Sequence, residues 1–445
     1  MSIFVFYVHA ALIGLLFTNF LVYITGADEL KIVDDIILLI GGVFVARNAA
    51  IGGMTKYLWG YLCLLLASYL ASAFSGALSN YYVHGGQILQ QFRNIFFPML
   101  GLCIGLQVLD RDSKKISRMF LVASMLISLV AVFEYTISGN FWNIYNKYGQ
   151  VRGVVFRAHS FIGDPTDFGY FLLFALMPVT FMALNTKGKD KIKFLIFLSF
   201  LVIGLLLANS RGPMLTALCG VSAILLSAIN RKGAVVAYAA VIAGGLMFYQ
   251  GVLSDRFAEL LSPISYLSAY DPAEWSRQLA YVQSIPVLRD HFFLGTGPGN
   301  FGGWVAVESE SVIHRLYNIR TFGTSSIDVH YLHRWGELGF VGIIVFIAML
   351  AKIFLRYWHA SRLQVLCRDT YGAMLSASVM SLTVCVFVWG FYSMATTALL
   401  HMTLYWFMVG LAEARYRAFG HVEARPDEAS PLRSPAPLRP VRSRV

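Results

Sequence analysis

The sequence predicts an all-α, polytopic integral membrane protein with about twelve transmembrane helices and a large loop on the outer side. Three observations predict it. The chain is 57% hydrophobic and only 13% charged, with a mean hydropathy of +0.64. A soluble domain carries roughly 25% charged residues to stay in water. Apolar runs of about 17–25 residues, long enough to cross a hydrocarbon core of ~30 Å, recur along the chain. Finally, the basic residues are distributed unevenly about those runs.

In chain order, the expected spans lie near 4–24, 33–46, 57–75, 95–109, 119–137, 168–183, 192–208, 214–229, 234–252, 331–351, 371–391 and 395–412. The second is the weakest, with Asp34 and Asp35 at its start. Helix is the default because irregular backbone in lipid leaves N–H and C=O groups unpaired. The first run lacks a basic leader and a clean small-residue cleavage site, so it is expected to be a span, not a cleaved signal peptide. Outer segments 138–167 and 253–327 are too long for connectors and rich in aromatics, so they are expected to be ordered and functional. The membrane domain thus covers 1–420. The tail 421–445, with Pro431, Pro435, Pro437 and Pro440 among arginines, is expected to be disordered.

With the N-terminus inside, 23 of the 35 lysines and arginines fall in cytoplasmic loops and the tail. That is the positive-inside pattern, and it makes both termini cytoplasmic. The formal charge of +11 is then a topology signal and not a sign of nucleic-acid binding. The outer basic residues are arginines except for Lys31 and Lys147. A guanidinium pairs bidentately with phosphate, which a lysine does not, so this bias points to an anionic ligand. Cys63, Cys103, Cys219, Cys367 and Cys385 fall in spans or on the inner side, so no disulfide framework is expected. No cysteine or histidine cluster has metal-ligand spacing, so no metal site is expected.

Four motifs carry candidate chemistry. Ser210-Arg211-Gly212-Pro213 joins two apolar runs by a tight turn that leaves Arg211 at the outer surface. A charge there either snorkels to headgroups or faces a cavity, and the positive-inside pattern disfavours the first. The segment from Ser325 to Gly342 opens the tenth span, with Ser326 as expected cap and Asp328 in the first turn. In a helix His330, Arg334 and Glu337 share one face. There His330 is a candidate proton acceptor, His333 is expected to be interfacial, and Gly336, Gly339 and Gly342 are expected to pack closely. Arg152 and Arg157 precede Gly163-Asp164-Pro165-Thr166, a turn that suits an anion near the membrane. Gly295-Thr296-Gly297-Pro298-Gly299-Asn300-Phe301 looks like a nucleotide loop, but no strand-turn-helix unit surrounds it, so it is expected to be structural. Phe292, Phe293, Trp304, Tyr317, Phe322 and Trp335 are candidates for stacking on sugars, and Arg256, Arg277, Arg289, Arg315 and Arg320 for anion contacts. Glu134, at the outer end of the fifth span, is expected to pair with an arginine.

Together these motifs resemble the O-antigen ligase and O-antigen polymerase superfamily of bacterial membrane glycosyltransferases. The resemblance rests on Arg157 before Gly163-Asp164-Pro165, Ser210-Arg211-Gly212 opening a span, the Gly295–Phe301 loop, and His330…Leu332…Glu337-Leu338-Gly339…Gly342. It covers roughly 150–345 by motif. Tyr331 departs from it, standing where the family often has Asn. The resemblance implies an inner-membrane enzyme acting on its periplasmic side, without nucleotide or metal. Its donor would be a glycan on undecaprenyl diphosphate. Arg211 and His330 would be catalytic, with Arg157, Arg277, Arg334, Glu337 and Arg152 binding substrate. Acceptors would be another glycan, for a polysaccharide polymerase, or the lipid A core, for a ligase, with a chain-length regulator as a further partner. The long outer segments suit two glycans and lean the expectation toward polymerisation. A lipid-linked glycan flippase is the alternative from another class. Its charges should lie near the midplane, whereas here they collect at one surface.

Overall fold

The computed structural model describes residues 36, 54–83, 86–108, 110–136, 157–162, 164–227, 277–320, 327, 329–391 and 399–423. Among them every regular element is helical. The helices are α1 (Met54–Leu78), α2 (Gly86–Phe96), α3 (Leu100–Leu106), α4 (Asp110–Thr136), α5 (Pro165–Asn185), α6 (Gly188–Leu207) and α7 (Arg211–Ser227). They continue with α8 (Arg277–Asp290), α9 (Trp304–Glu308), α10 (Val312–Leu316), α11 (His330–Leu366), α12 (Thr370–Trp389) and α13 (Leu399–Glu423). Among the described residues α1, α4, α5, α11 and α12 hold the 5 stretches long and apolar enough to cross a membrane. The expected spans 4–24 and 234–252, and 33–46 apart from helical Ile36, lie outside the described residues, as does the tail beyond 423.

α5 and α12 are almost wholly buried and form the centre of the bundle. Their rings stack where Tyr170 meets Trp389 at 3.6 Å. Small polar residues bring helices close: Ser381 Oγ of α12 donates to the Gly220 carbonyl of α7 at 2.6 Å. Around this centre α1, α4 and α6 expose Leu64, Leu70, Phe74, Val122, Leu126, Phe133, Ile196 and Ile203, as lipid-facing helices do.

Two expected spans differ in form. The run 95–109 is not one helix. Pro98 lacks the N–H that continues a helix, and the chain passes from α2 through a 3₁₀ turn (Phe97–Met99) into α3. The run 331–351 is part of α11, which extends to Leu366 and is interrupted at Gly339, whose φ of 72° lies in the left-handed region. α11 starts at His330 with Val329 as its cap, so Ser326 and Asp328, both outside the described residues, precede it.

Contacts define two ends. Lys352 of α11 lies over the Tyr57 ring of α1 (4.8 Å), and Lys114 of α4 over the Tyr371 ring of α12 (5.5 Å). There Glu413, fully buried on α13, meets Arg356 (3.5 Å) and Arg417 (3.3 Å), while Arg415 grips Asp369 with two bonds of 3.0 and 2.9 Å. The opposite end gathers α2, the 157–162 segment, the Ser210 turn and α8–α10. The cap at that end has its own small core of Ala280, Val287, Phe301, Ile313, Ile319 and Ile327.

Candidate active site

The site grows out of the interruption at Gly339. Breaking a helix frees carbonyls that must be satisfied elsewhere. The Gly336 carbonyl accepts from Thr296 N (2.8 Å) and Thr296 Oγ1 (3.0 Å), and the Glu337 carbonyl from Gly297 N (3.1 Å) and Ser72 Oγ. Ser68 Oγ reaches the Leu338 carbonyl (3.4 Å), and Phe340 N donates to the Phe292 carbonyl (2.8 Å). The glycine-rich loop is therefore a clamp on a broken helix. Gly336 admits the Phe301 ring of that loop against the helix, while a side chain at Gly339 would collide with the Phe293 carbonyl. Of the three glycines expected to pack closely, Gly339 serves backbone conformation as well.

Below the loop, the wholly buried Glu337 collects three donors, Gln91 Nε2 (2.6 Å), Gly299 N (2.7 Å) and Arg334 Nη1 (2.9 Å), with His333 Nε2 within ion-pair distance at 3.1 Å. A carboxylate taken out of water is tolerated when all its acceptor capacity is used. His333 is thus buried in this network and not interfacial. Glu337, expected among the substrate-binding groups, has no accessible surface.

His330 and Arg334 line one cleft with Asn94 of α2, Phe346 of α11 and Met402 and Trp406 of α13. His330 is 3% exposed, and neither of its ring nitrogens has a hydrogen-bond partner among the described residues. Buried polar groups are usually paired, and an exception asks for a ligand or a chemical role. An unpaired imidazole beside a fixed guanidinium can accept a proton while the cation stabilises negative charge.

A second cluster lies at the turn into α7. Arg157 Nε donates to the Ala208 carbonyl (3.3 Å) and Nη2 to Thr166 Oγ1 (3.3 Å), which also receives Ser210 Oγ (3.2 Å). Asp164 caps α5 through Thr166 N (2.6 Å) and Asp167 N (3.1 Å). The Gly-Asp-Pro turn and the Ser-Arg-Gly turn are thereby brought together. Glu134 holds this segment to α4, accepting from Ser160 N (2.7 Å) and His159 N (3.2 Å), with His159 Nε2 at 3.0 Å. Its partner is a histidine, where an arginine was expected. Burial disfavours the charged His159 ring, but Glu134 outweighs it and raises the pKa above the usual histidine value. In the cap, burial and the neighbouring His333 push His314 down to about 4.

Aromatic packing joins the two clusters. Tyr170 stacks on Trp389, Gly390 lies against the Tyr331 ring next to His330, and His401 Nε2 meets the Asp167 carbonyl (2.9 Å) beside Met402 of the cleft. Arg211 and Arg277 open α7 and α8, but their side chains lie outside the described residues, as does all of Arg152. The residues missed from sequence are Gln87, Gln91 and Asn94. Their signal is a polar stripe at i, i+4 and i+7 on α2, beside the apolar stripe of Ile88, Phe92 and Ile95.

None of the curated proteins compared with the chain matches it. The family model described as O-antigen ligase matches residues 195–347, a stretch holding Arg211, the glycine-rich clamp, His330, Arg334 and Glu337. Over this segment the chain is similar to the O-antigen ligase family.

Proposed function

We propose that the protein transfers a glycan from undecaprenyl diphosphate to a saccharide acceptor, most readily by polymerising a surface polysaccharide, O-antigen or exopolysaccharide. The observation that carries this reading is the buried His330 ring, unpartnered among the described residues and beside Arg334 in a cleft. In the reaction an acceptor hydroxyl attacks the anomeric carbon as its bond to the diphosphate breaks. The hydroxyl proton passes to a His330 ring nitrogen, and the lipid diphosphate leaves with the bonding electrons. Direct displacement inverts the anomeric centre. Negative charge grows on the leaving oxygens, where preorganised cations act most strongly. Arg211 and Arg157 would grip the diphosphate with help from Arg277 and Arg152. Arg334 would face the cleft, and Glu337 would hold it there. No metal or nucleotide is invoked.

The arginine bias supports a periplasmic site in a bacterial inner membrane, with both termini cytoplasmic. The described basic residues at the cleft end are arginines, whereas the lysines lie at the opposite end. Ligation to the lipid A core is the second reading, favoured by the description of the matching family model. Purified protein given lipid-linked repeat units alone, or with core acceptor, tests both. Polymer from repeat units alone supports polymerisation, and glycosylated core alone supports ligation. Transfer to neither, by folded protein, overturns the proposal, as would undiminished transfer by Arg211→Ala and His330→Ala.

A further inference from the structure

The turn leaving α8 carries Phe292, Phe293 and Leu294, three consecutive apolar residues with exposures of 36%, 68% and 44%. Stacking on sugars would account for exposed aromatics, but these rings are arranged otherwise. Phe292 packs on Phe340 (4.9 Å), Trp335 (5.5 Å) and Phe293 (5.0 Å), forming one aromatic cluster at the interruption in α11. Directly beyond Phe340, α11 exposes Val341, Ile344, Ile347 and Leu355, a stripe along one side of a membrane-spanning helix. The turn therefore continues a lipid-facing surface.

Its depth follows from α1. The Phe293 carbonyl borders Gly339, and the adjoining Leu338 and Glu337 carbonyls bond Ser68 and Ser72. α1 continues from Ser72 to Leu78, six residues or roughly 9 Å of apolar helix at 1.5 Å per residue, with Phe74 and Leu78 exposed. Phe293 thus lies well inside the outer end of a spanning helix. Backbone at that depth must be satisfied by protein. At the two ends of the turn it is: the Phe292 carbonyl accepts from Phe340 N and Trp335 Nε1 (3.3 Å), and Gly295 N donates to the His291 carbonyl (3.0 Å). Just above, the exposed Arg289 and Asp290 pair at 3.0 Å, as suits a headgroup layer.

The geometry points to Phe292-Phe293-Leu294 as a wedge inserted into the outer leaflet, at the boundary between headgroups and acyl chains. Its partner is membrane lipid, not sugar. Because the same turn leads into the loop that clamps Gly336 and Glu337, the wedge sets the depth of the cleft in the bilayer. This inference does not depend on the glycosyl-transfer reading.

The test adds a tryptophan at the tip, as Phe293→Trp, in full-length protein in phosphatidylcholine nanodiscs. The emission added over wild type is followed with lipid brominated near the head of its acyl chains and with aqueous acrylamide. The wedge predicts that brominated lipid quenches most of the added emission and acrylamide little. Quenching by acrylamide alone would mean a water-exposed turn, and by neither a surface covered by protein. Either overturns the inference. Leu294→Trp repeats the measurement should Phe293→Trp fail to fold.

Discussion

The two ends of the helical bundle use buried charge differently. At the lysine-bearing end Glu413 sits between Arg356 and Arg417, and Asp369 takes both arms of Arg415 while capping α12 through Gly372 N (3.1 Å). All three arginines remain about a quarter exposed there. At the cleft end Glu337 is equally enclosed, but its partner Arg334 is buried too, and next to it His330 is left without a partner among the described residues. The first end spends its charges on joining α11, α12 and α13. The second fixes one cation and leaves one imidazole unpaired among the described residues, the arrangement that the proposed reaction needs.

The largest effect should come from Glu337→Ala, which strips a buried guanidinium, a buried amide and the Gly299 N–H of their acceptor at once. A loss of about 3–5 kcal/mol is expected, as for breaking a buried ion pair, read as a fall in thermal midpoint together with lost glycan transfer. Glu413→Ala should cost less, because Arg356 and Arg417 can turn to water. Equal losses at both ends would erase the contrast.

Gly339→Ala comes next. An alanine there meets both the positive φ and the Phe293 carbonyl, so at least ~1–3 kcal/mol should be lost. An unchanged melting temperature would mean that the interruption in α11 is not enforced locally.

The pH dependence of the cap sharpens the same difference. His314, held near 4 by burial, is neutral in the folded protein while an unfolded histidine titrates near its ordinary value of 6.5. Between those values the unfolded chain binds more protons, so stability falls as pH drops from 6.5 toward 4, by roughly 3 kcal/mol in all. His314→Gln should remove that part of the acid sensitivity, measured as melting temperature against pH. The smallest effect is reserved for Asp369→Asn, which keeps the α12 cap and loses only the charge facing Arg415. About 1 kcal/mol or less is expected for a partly solvated pair.

Much of this was legible in the sequence, element by element. Apolar length located α1, α4, α5 and α12, because crossing lipid imposes that length whatever the tertiary packing. The spacing of His330, Arg334 and Glu337 placed them on one helix, and the structure lines His330 and Arg334 along one cleft with Glu337 paired beneath. The interruption was not legible, since a glycine needed for positive φ looks like a glycine needed for close packing. Nor was α2, whose apolar side merges with the run at Ile95 and hides the stripe of Gln87, Gln91 and Asn94. The partners of Glu134 and His333 depend on long-range contacts that no local pattern encodes.

The central claim is that His330 is kept unpaired for chemistry and contributes no side-chain hydrogen bond to the fold among the described residues. Measuring thermal midpoint and glycan transfer on the same preparation of His330→Ala tests it most directly. The expected result is an unchanged midpoint with transfer reduced about 10²–10⁴-fold, the range for removing a general base. A lowered midpoint with transfer retained would make His330 a structural residue and contradict the account.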